Sequence, residues 1–505
     1  MFKIVSKVII TFCILGFSVS MSAHPQFGER PRLVVGIVVD QMRWDYLSRY
    51  YEQFGDGGFR RLIDDGYSCN NCQINYVPTV TAIGHTSVYT GTSPAFHGIC
   101  GNNFYIDGVK TYCTADSTVE TVGTEGKRGM HSPHNMLSTT IGDQLRLHTD
   151  FRSRVVGVSY KDRAAILPAG HSANAAYWLD TKSLRFISST YYMKELPNYV
   201  KEVNAAIAKN KEAQKAGERI GYTTLCGTLT TDMAIAALKG ENLGHGEATD
   251  MLCVSYSQTD VIGHEWGTRG EHTDAAYLEL DKELERLLKA LDEQVGRGSY
   301  LLFLTADHGA SHNWNYMREH NLPAGPLYVD SLKNSIEEHL KSKMHCTRPV
   351  VAGIADYRVF LNHVSISEQG LNLQQIKDAV IDFLRTTDGV VTVVDFERAR
   401  TSSVPQILAE RIVMGYHPHR SGDIIFIPEP QYYYWWKDAA YTHTTHGEWN
   451  PYDAHIPLLF FGWNIRHGAT SREVHIIDIA PTVCQLLHIQ QPNACTGEPI
   501  VEIAG

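Results

Sequence analysis

Along the chain, long apolar runs alternate with segments whose apolar residues recur at helical spacing. Residues 32–40 read RLVVGIVVD, an almost unbroken apolar run that closes on Asp40. Such a run suits a strand buried on both faces, as in a parallel sheet. The same grammar returns further along. RVVGVSY from Arg154 is followed by Lys161 and Arg163, and MLCVSYSQTD from Met251 ends on Asp260 with His264 behind it. YLLFLTADHG from Tyr300 carries Asp307 and His308, and HIPLLFFGW starts at His455, shortly after Thr444-Thr445-His446-Gly447. Helical patterns separate these runs. The clearest is 277–294, with leucines at helical spacing and acid–base pairs between them. Strands alternating with helices predict an α/β fold, a doubly wound, mostly parallel sheet flanked by helices.

Two intervals break the rhythm. Residues 310–440 carry a helical pattern at 329–343, then short strand patterns at 357–361, 390–395 and 423–427. They predict an inserted α+β cap region, with the aromatic run at 431–436 as packing or a rim loop. Residues 174–221 read as a smaller cap, helical and polar. Residues 477–487 predict a core helix.

Composition sets the outer limits. The 505 residues are 43% hydrophobic and 20% charged, enough for one large α/β domain with insertions. A formal charge of -10, with no long basic run, excludes nucleic acid and anionic membrane surfaces as main partners. Lys3 and Lys7, the apolar run 8–19 and Ser22-Ala23 predict a signal peptide over 1–23, with the catalytic domain spanning 24–505. The apolar run is short for a membrane span, so the mature chain is expected in a periplasm or outside the cell, without stable membrane insertion. Nine cysteines follow the cleavage site. In an oxidising compartment Cys69 with Cys72, Cys100 with Cys113 and Cys484 with Cys495 are candidate disulfides. Cys69 and Cys72 are alternatively half of a zinc site, but no second CxxC completes it. Cys226, Cys253 and Cys346 read as buried thiols.

In doubly wound sheets functional groups gather at the carboxyl ends of the strands. Asp40, Asp260, Asp307, His264, His308 and His446 all lie near predicted strand ends. Carboxylate and imidazole donors together suit zinc. The stretch 76–103, YVPTVTAIGHTSVYTGTSPAFHGICGNN, predicts a helix that starts after Pro78 and stops at Gly91. Thr79 or Thr81 then lies where unpaired N–H groups collect, either as an N-cap or beside an anion.

Seven strings occur in order between about Arg32 and Leu487: VVDQMRWDY, PTVTAIGHT, HGICGNN, SYKDR, QTDVIGHEWG, TADHG and TTHG. In them the chain resembles the alkaline phosphatase superfamily, and within it the bacterial phosphate-irrepressible, threonine-nucleophile alkaline phosphatases. The resemblance implies two zinc ions, one held by Asp260, His264 and His446 and the other by Asp40, Asp307 and His308. It implies Thr81 as nucleophile, Asn102 on a phosphate oxygen, and Lys161 with Arg163 as the basic pair of a monoesterase. On an extended segment those two point the same way, and they offer charge to a monoester dianion. His85 is expected to pack behind the ligands. His443 rivals His446, which is preferred because Gly447 follows it. No Cys or Ser stands at the nucleophile position and no CxPxR string occurs, against a sulfatase. The expected protein is a monomeric hydrolase of small phosphate monoesters, working through a phosphothreonine. A phosphodiesterase or nucleotide pyrophosphatase on the same fold is the alternative. A non-catalytic, metal-stabilised binding protein is a third.

Overall fold

Every residue of Leu33–Val39 is buried, as a strand covered on both faces must be. The computed structural model describes residues 30–504 apart from 107, 330, 437 and 438, so the expected signal peptide lies outside the described residues. Ten strands form the central sheet: β1 (Leu33–Val39), β2 (Tyr67–Cys69), β3 (Thr121–Val122), β4 (Val155–Ser159), β5 (Ala175–Asp180), β6 (Arg185–Ser189), β7 (Asp250–Tyr256), β8 (Tyr300–Thr305), β9 (Leu458–Gly462) and β10 (Gly468–Thr470). Their order is β10-β2-β9-β8-β1-β7-β4-β5-β6-β3. The centre, β8-β1-β7-β4-β5, is parallel throughout. Antiparallel neighbours flank it, β9 on β8 and β6 on β5. β9 reverses because the chain returns to the sheet at the carboxyl end of β8, where Leu458 pairs with Thr305.

Four helices matter for the site: α1 (Thr81–Thr90), α2 (Asp162–Ala169), α3 (Gln258–Trp266) and α4 (Glu271–Gln294). α4 extends the predicted helix by six residues at its start. It buries Leu280, Leu284, Leu287, Leu288 and Leu291, one stripe at helical spacing. The predicted core helix near the C-terminus is Ile479–Leu486.

The 174–221 interval departs from expectation. It opens with β5 and β6, two largely buried strands of the central sheet, and becomes helical only from Asn198. Two short strands joined by a tight connection did not stand out from the helical, polar pattern that follows them. The larger insertion is α+β. Strands Val351–Ala355, Arg358–Leu361, Ile424–Pro428 and Val390–Asp395 form a separate antiparallel sheet in that order. Helices Leu332–Met344 and Leu373–Leu384 share a separate core with this sheet, including Ile336, Leu340, Val359, Val380 and Phe426. Within the aromatic run, Tyr432–Trp435 is a strand paired with Gly325–Tyr328, and Tyr433 and Trp435 are buried.

All nine cysteines among the described residues are free thiols, so none of the three expected pairs is closed. They sit in packed surroundings, and burial pushes the Cys69 thiol up to about 12 and Cys495 to about 11.

Candidate two-metal site

α1 places the threonines. Its N-cap is Val80, extended and without a side-chain cap, and Gly91 ends the helix with φ 65°. Thr79 Oγ1 donates to Glu448 O at 2.8 Å, and Thr81 is the first helical residue. Neither threonine side chain caps the helix. Among the described residues, Thr81 Oγ1 makes one side-chain hydrogen-bond contact, with His308 Nε2 at 3.4 Å. The close approach of α1 to β8 depends on Gly84, where a Cβ would lie 2.2 Å from Asp307 O. Asn102 Oδ1 accepts from Ala82 N at 3.1 Å, which sets its side chain at the N-terminus of α1 beside Thr81.

Three neighbouring parallel strands deliver the acids. Asp40 follows β1 directly, Asp307 and His308 follow β8, and Asp260 and His264 lie one turn apart on α3, just after β7. His446 comes from the loop before β9. The ligand atoms of Asp260, His264 and His446 lie within 4.8 Å of one another, and so do those of Asp40, Asp307 and His308. In the first group, His264 Nε2 is 3.2 Å and His446 Nε2 3.6 Å from Asp260 Oδ1. In the second, His308 Nε2 is 3.6 Å from Asp40 Oδ1 and 3.4 Å from Asp307 Oδ2.

The three imidazoles share one arrangement. Nδ1 of His264 donates to Thr444 O at 2.8 Å, Nδ1 of His308 to Gly309 O at 2.9 Å and Nδ1 of His446 to Thr79 O at 2.7 Å. Each backbone carbonyl fixes the tautomer with the proton on Nδ1 and leaves the Nε2 lone pair to ligate a metal. Among the described residues, the buried carboxylate oxygens Asp40 Oδ1 and Asp307 Oδ2 accept no hydrogen bond of good geometry, although His85 Nδ1 lies 3.2 Å from the latter. Three buried carboxylates (Asp40, Asp260, Asp307) face one ammonium, Lys161, whose Nζ lies 2.7 Å from Asp40 Oδ2 and 2.5 Å from Asp260 Oδ2. With neutral imidazoles the cluster is two charges short of balance, an arrangement a dry interior does not tolerate without added cations. The unmatched negative charge calls for cations, and the two separate groups of three carboxylate and imidazole ligands fit divalent metals. Burial, reinforced by Asp307, pushes Asp40 well above the usual carboxylate range. Burial acts on Asp260 in the same direction, but His264 and Lys161 outweigh it and hold that acid well below the range.

The basic pair divides. Lys161 is extended, as expected, but it is the N-cap of α2, so Arg163 already lies on the first helical turn. Arg163 Nη1 reaches Tyr112 Oη at 3.1 Å and not the acid cluster. Lys161 and Arg163 still line one cavity of about 640 Å³ together with Asp260, His264, Tyr160 and Trp178. A larger cavity of about 940 Å³, against helix Gln406–Gly415, holds none of these residues.

The profile of the family described as type I phosphodiesterase / nucleotide pyrophosphatase matches residues 34–449. The chain belongs to this family, within the alkaline phosphatase superfamily. Among this family member's relatives, a protein of Myroides odoratus named calcium-transporting ATPase is 43% identical over 98% of both chains. Alkaline phosphatase PafA of Elizabethkingia meningoseptica is 42% identical over 94% of this chain and 95% of its own. A crystal structure of wild-type PafA superposes with a TM-score of 0.90 at 41% identity, covering 94% of this chain and 99% of that one.

Two features of this phosphodiesterase-family site escaped the sequence reading. Gln41 spans both acid groups, with Nε2 donating to Asp260 Oδ1 at 2.7 Å and its N–H to Asp307 Oδ1 at 3.1 Å. Its place directly after Asp40 at a strand end was the available signal. Behind His446 lie two buried acids, Glu448 and Asp453, which no ion pair neutralises among the described residues. The remaining histidines near the ligands lie outside the two groups, and His85 packs as expected. His85 packs behind Asp307, with Nδ1 3.2 Å from Oδ2. His443 stacks on His264 outside both groups, and His455 stacks on Trp44.

Proposed function

We propose that this chain is an alkaline phosphatase. It hydrolyses small phosphate monoesters to an alcohol and inorganic phosphate through a phosphothreonine on Thr81, with two zinc ions as cofactor. The observation that carries this reading is Thr81 Oγ at the start of α1, against His308 and beside two carboxylate–imidazole groups. Relatives named alkaline phosphatases, similar over nearly the whole chain, support it.

Asp260, His264 and His446 would hold one ion, and Asp40, Asp307 and His308 the other. Mixed carboxylate and imidazole donors favour zinc. Zinc, when bound, supplies the positive charge that phosphoryl transfer needs at the attacking, departing and equatorial oxygens. Thr81 Oγ attacks phosphorus in line with the departing oxygen. The phosphorus–alkoxide bond breaks, and the proton lost from the Thr81 hydroxyl is balanced by the one with which the alcohol leaves. Water attacks the phosphothreonine from the opposite face, which frees Thr81 and releases phosphate. Asn102 holds a phosphoryl oxygen at the N-terminal end of α1, where the helix dipole also favours negative charge. Lys161 and Arg163 balance the second charge of a monoester dianion. The chain is read as secreted or periplasmic, with residues 1–23 removed.

A phosphodiesterase is the second reading, favoured by the position of Arg163 on Tyr112 rather than over the acid cluster. Transport has no comparable support: no helix among the described residues is long and apolar enough to cross a membrane. The test is metal content and the rate ratio on an aryl phosphate monoester and its matching diester, from one purified sample. Two zinc equivalents and a strong monoester preference are expected. A diester preference would overturn the proposal in favour of the second reading.

A further inference from the structure

The inserted cap reaches the phosphate end of the site through one hairpin. Ala355 pairs with Arg358, so Asp356 and Tyr357 alone make the turn. Both have positive φ, 47° and 61°. Two-residue hairpins favour this left-handed turn but normally fill it with Asn, Asp or Gly. A bulky tyrosine holds such a conformation only where its surroundings impose it. Here Tyr357 stacks on Tyr434 at 4.2 Å, and its N–H donates to Tyr434 Oη.

Asp356 and Arg358 pack directly on Gly101, the residue before Asn102. A Cβ at position 101 would lie 2.6 Å from Asp356 Oδ2 and 2.8 Å from Arg358 Nη2. Arg358 is 0% exposed, its Nη2 donates to Asp356 Oδ2 at 2.9 Å, and its Nη1 is buried without a partner among the described residues. A fully buried guanidinium with an unmet donor is a costly way to close a hairpin. It brings a rigid fork against the peptide that carries Asn102, and Asn102 in turn holds the first turn of α1 next to Thr81.

We propose that Arg358 is a positioning residue: clamped by Asp356, it fixes the Gly101–Asn102 peptide so that Asn102 meets the phosphoryl group. The cap thereby takes part in phosphate binding without touching substrate. This rests on the role assigned to Asn102 above.

The test is a double-mutant cycle on metal-loaded protein: wild type, Arg358→Met, Asn102→Ala and the double variant. Inorganic phosphate affinity is measured by calorimetry and kcat/KM on an aryl phosphate monoester, with melting temperature and metal content alongside. Arg358→Met is expected to weaken phosphate binding and lower kcat/KM by about tenfold or more, as small misplacements at a reacting centre do. In the Asn102→Ala background the same substitution should change either quantity by less than about twofold, because coupled residues do not add; independent sites would show the full loss again. Arg358→Lys keeps the charge but not the planar fork, so it should recover only part of the loss. Equal losses in both backgrounds would overturn the inference, as would an unchanged phosphate affinity in Arg358→Met alone. If Asn102→Ala itself binds phosphate normally, the assignment of Asn102 is what fails. Should Arg358→Met not fold, Gly101→Ala disturbs the same contact from the other side and enters the cycle in its place, with the same deciding outcomes.

Discussion

Replacing Thr81 by alanine separates chemistry from architecture. Thr81 is 1% exposed, and its hydroxyl makes one hydrogen-bond contact among the described residues, a long one of 3.4 Å to His308. It does not cap α1, whose N-cap is Val80. The change removes one methyl and one hydroxyl from a packed site, a cost of about 1–2 kcal/mol. In a domain this large, that lowers the melting temperature by no more than about 4 °C. The chemical loss is of another order. Removing a nucleophile that acts as part of a unit costs on the order of 10⁴- to 10⁶-fold in turnover. At about 1.4 kcal/mol per tenfold, that is about 5–8 kcal/mol of transition-state stabilisation. The assay is turnover of a chromogenic aryl phosphate monoester, with metal content by mass spectrometry and a calorimetric melt of the same sample. Near-normal turnover with both metals bound would refute the assignment. Lost turnover accompanied by lost metal would refute the reasoning too, because Thr81 would then be holding the site together.

Other substitutions probe the remaining parts. His446→Ala removes one of three donors from its group and should cost about one metal equivalent per chain after dialysis; retention of both equivalents would show that His446 is not a ligand. Gly84→Ala forces a methyl to within 2.2 Å of the Asp307 carbonyl, so α1 must move. It should destabilise the fold by about 1–3 kcal/mol and lower turnover as well, and an unchanged melt would refute the close approach. Burial pushes the Asp453 carboxyl up to about 8. Its folded pKa is raised, so the folded state binds the extra proton between about pH 4 and 8, and stability falls as pH rises through that window. Asp453→Asn cannot titrate, so it should gain stability over wild type from pH 5 to pH 9 by on the order of a few kcal/mol in denaturant melts. A pH-independent difference would contradict that shift.

The one-dimensional pattern determined the scaffold. Apolar runs long enough for strands buried on both faces announced β1, β4, β7 and β8, and their polar ends named Asp40, Asp260 and Asp307 in advance. That works because a central parallel strand has no solvent face, so its composition is dictated by burial alone. Edges were less legible. The strands β5 and β6 were hidden in a segment that looked helical, and β9 gave no sign of its direction, since an antiparallel core strand obeys the same burial rule. Motif order also placed the donors in the chain. It could not bring His446 within 3.6 Å of Asp260, 186 residues earlier. Nor could it show that His264, His308 and His446 each turn Nδ1 to a backbone carbonyl, that Lys161 and Arg163 part at the start of α2, or that a hairpin from the cap settles on Gly101. Those are matters of side-chain direction and of contacts between distant segments, decided only when the strands' order in the sheet sets which loops become neighbours.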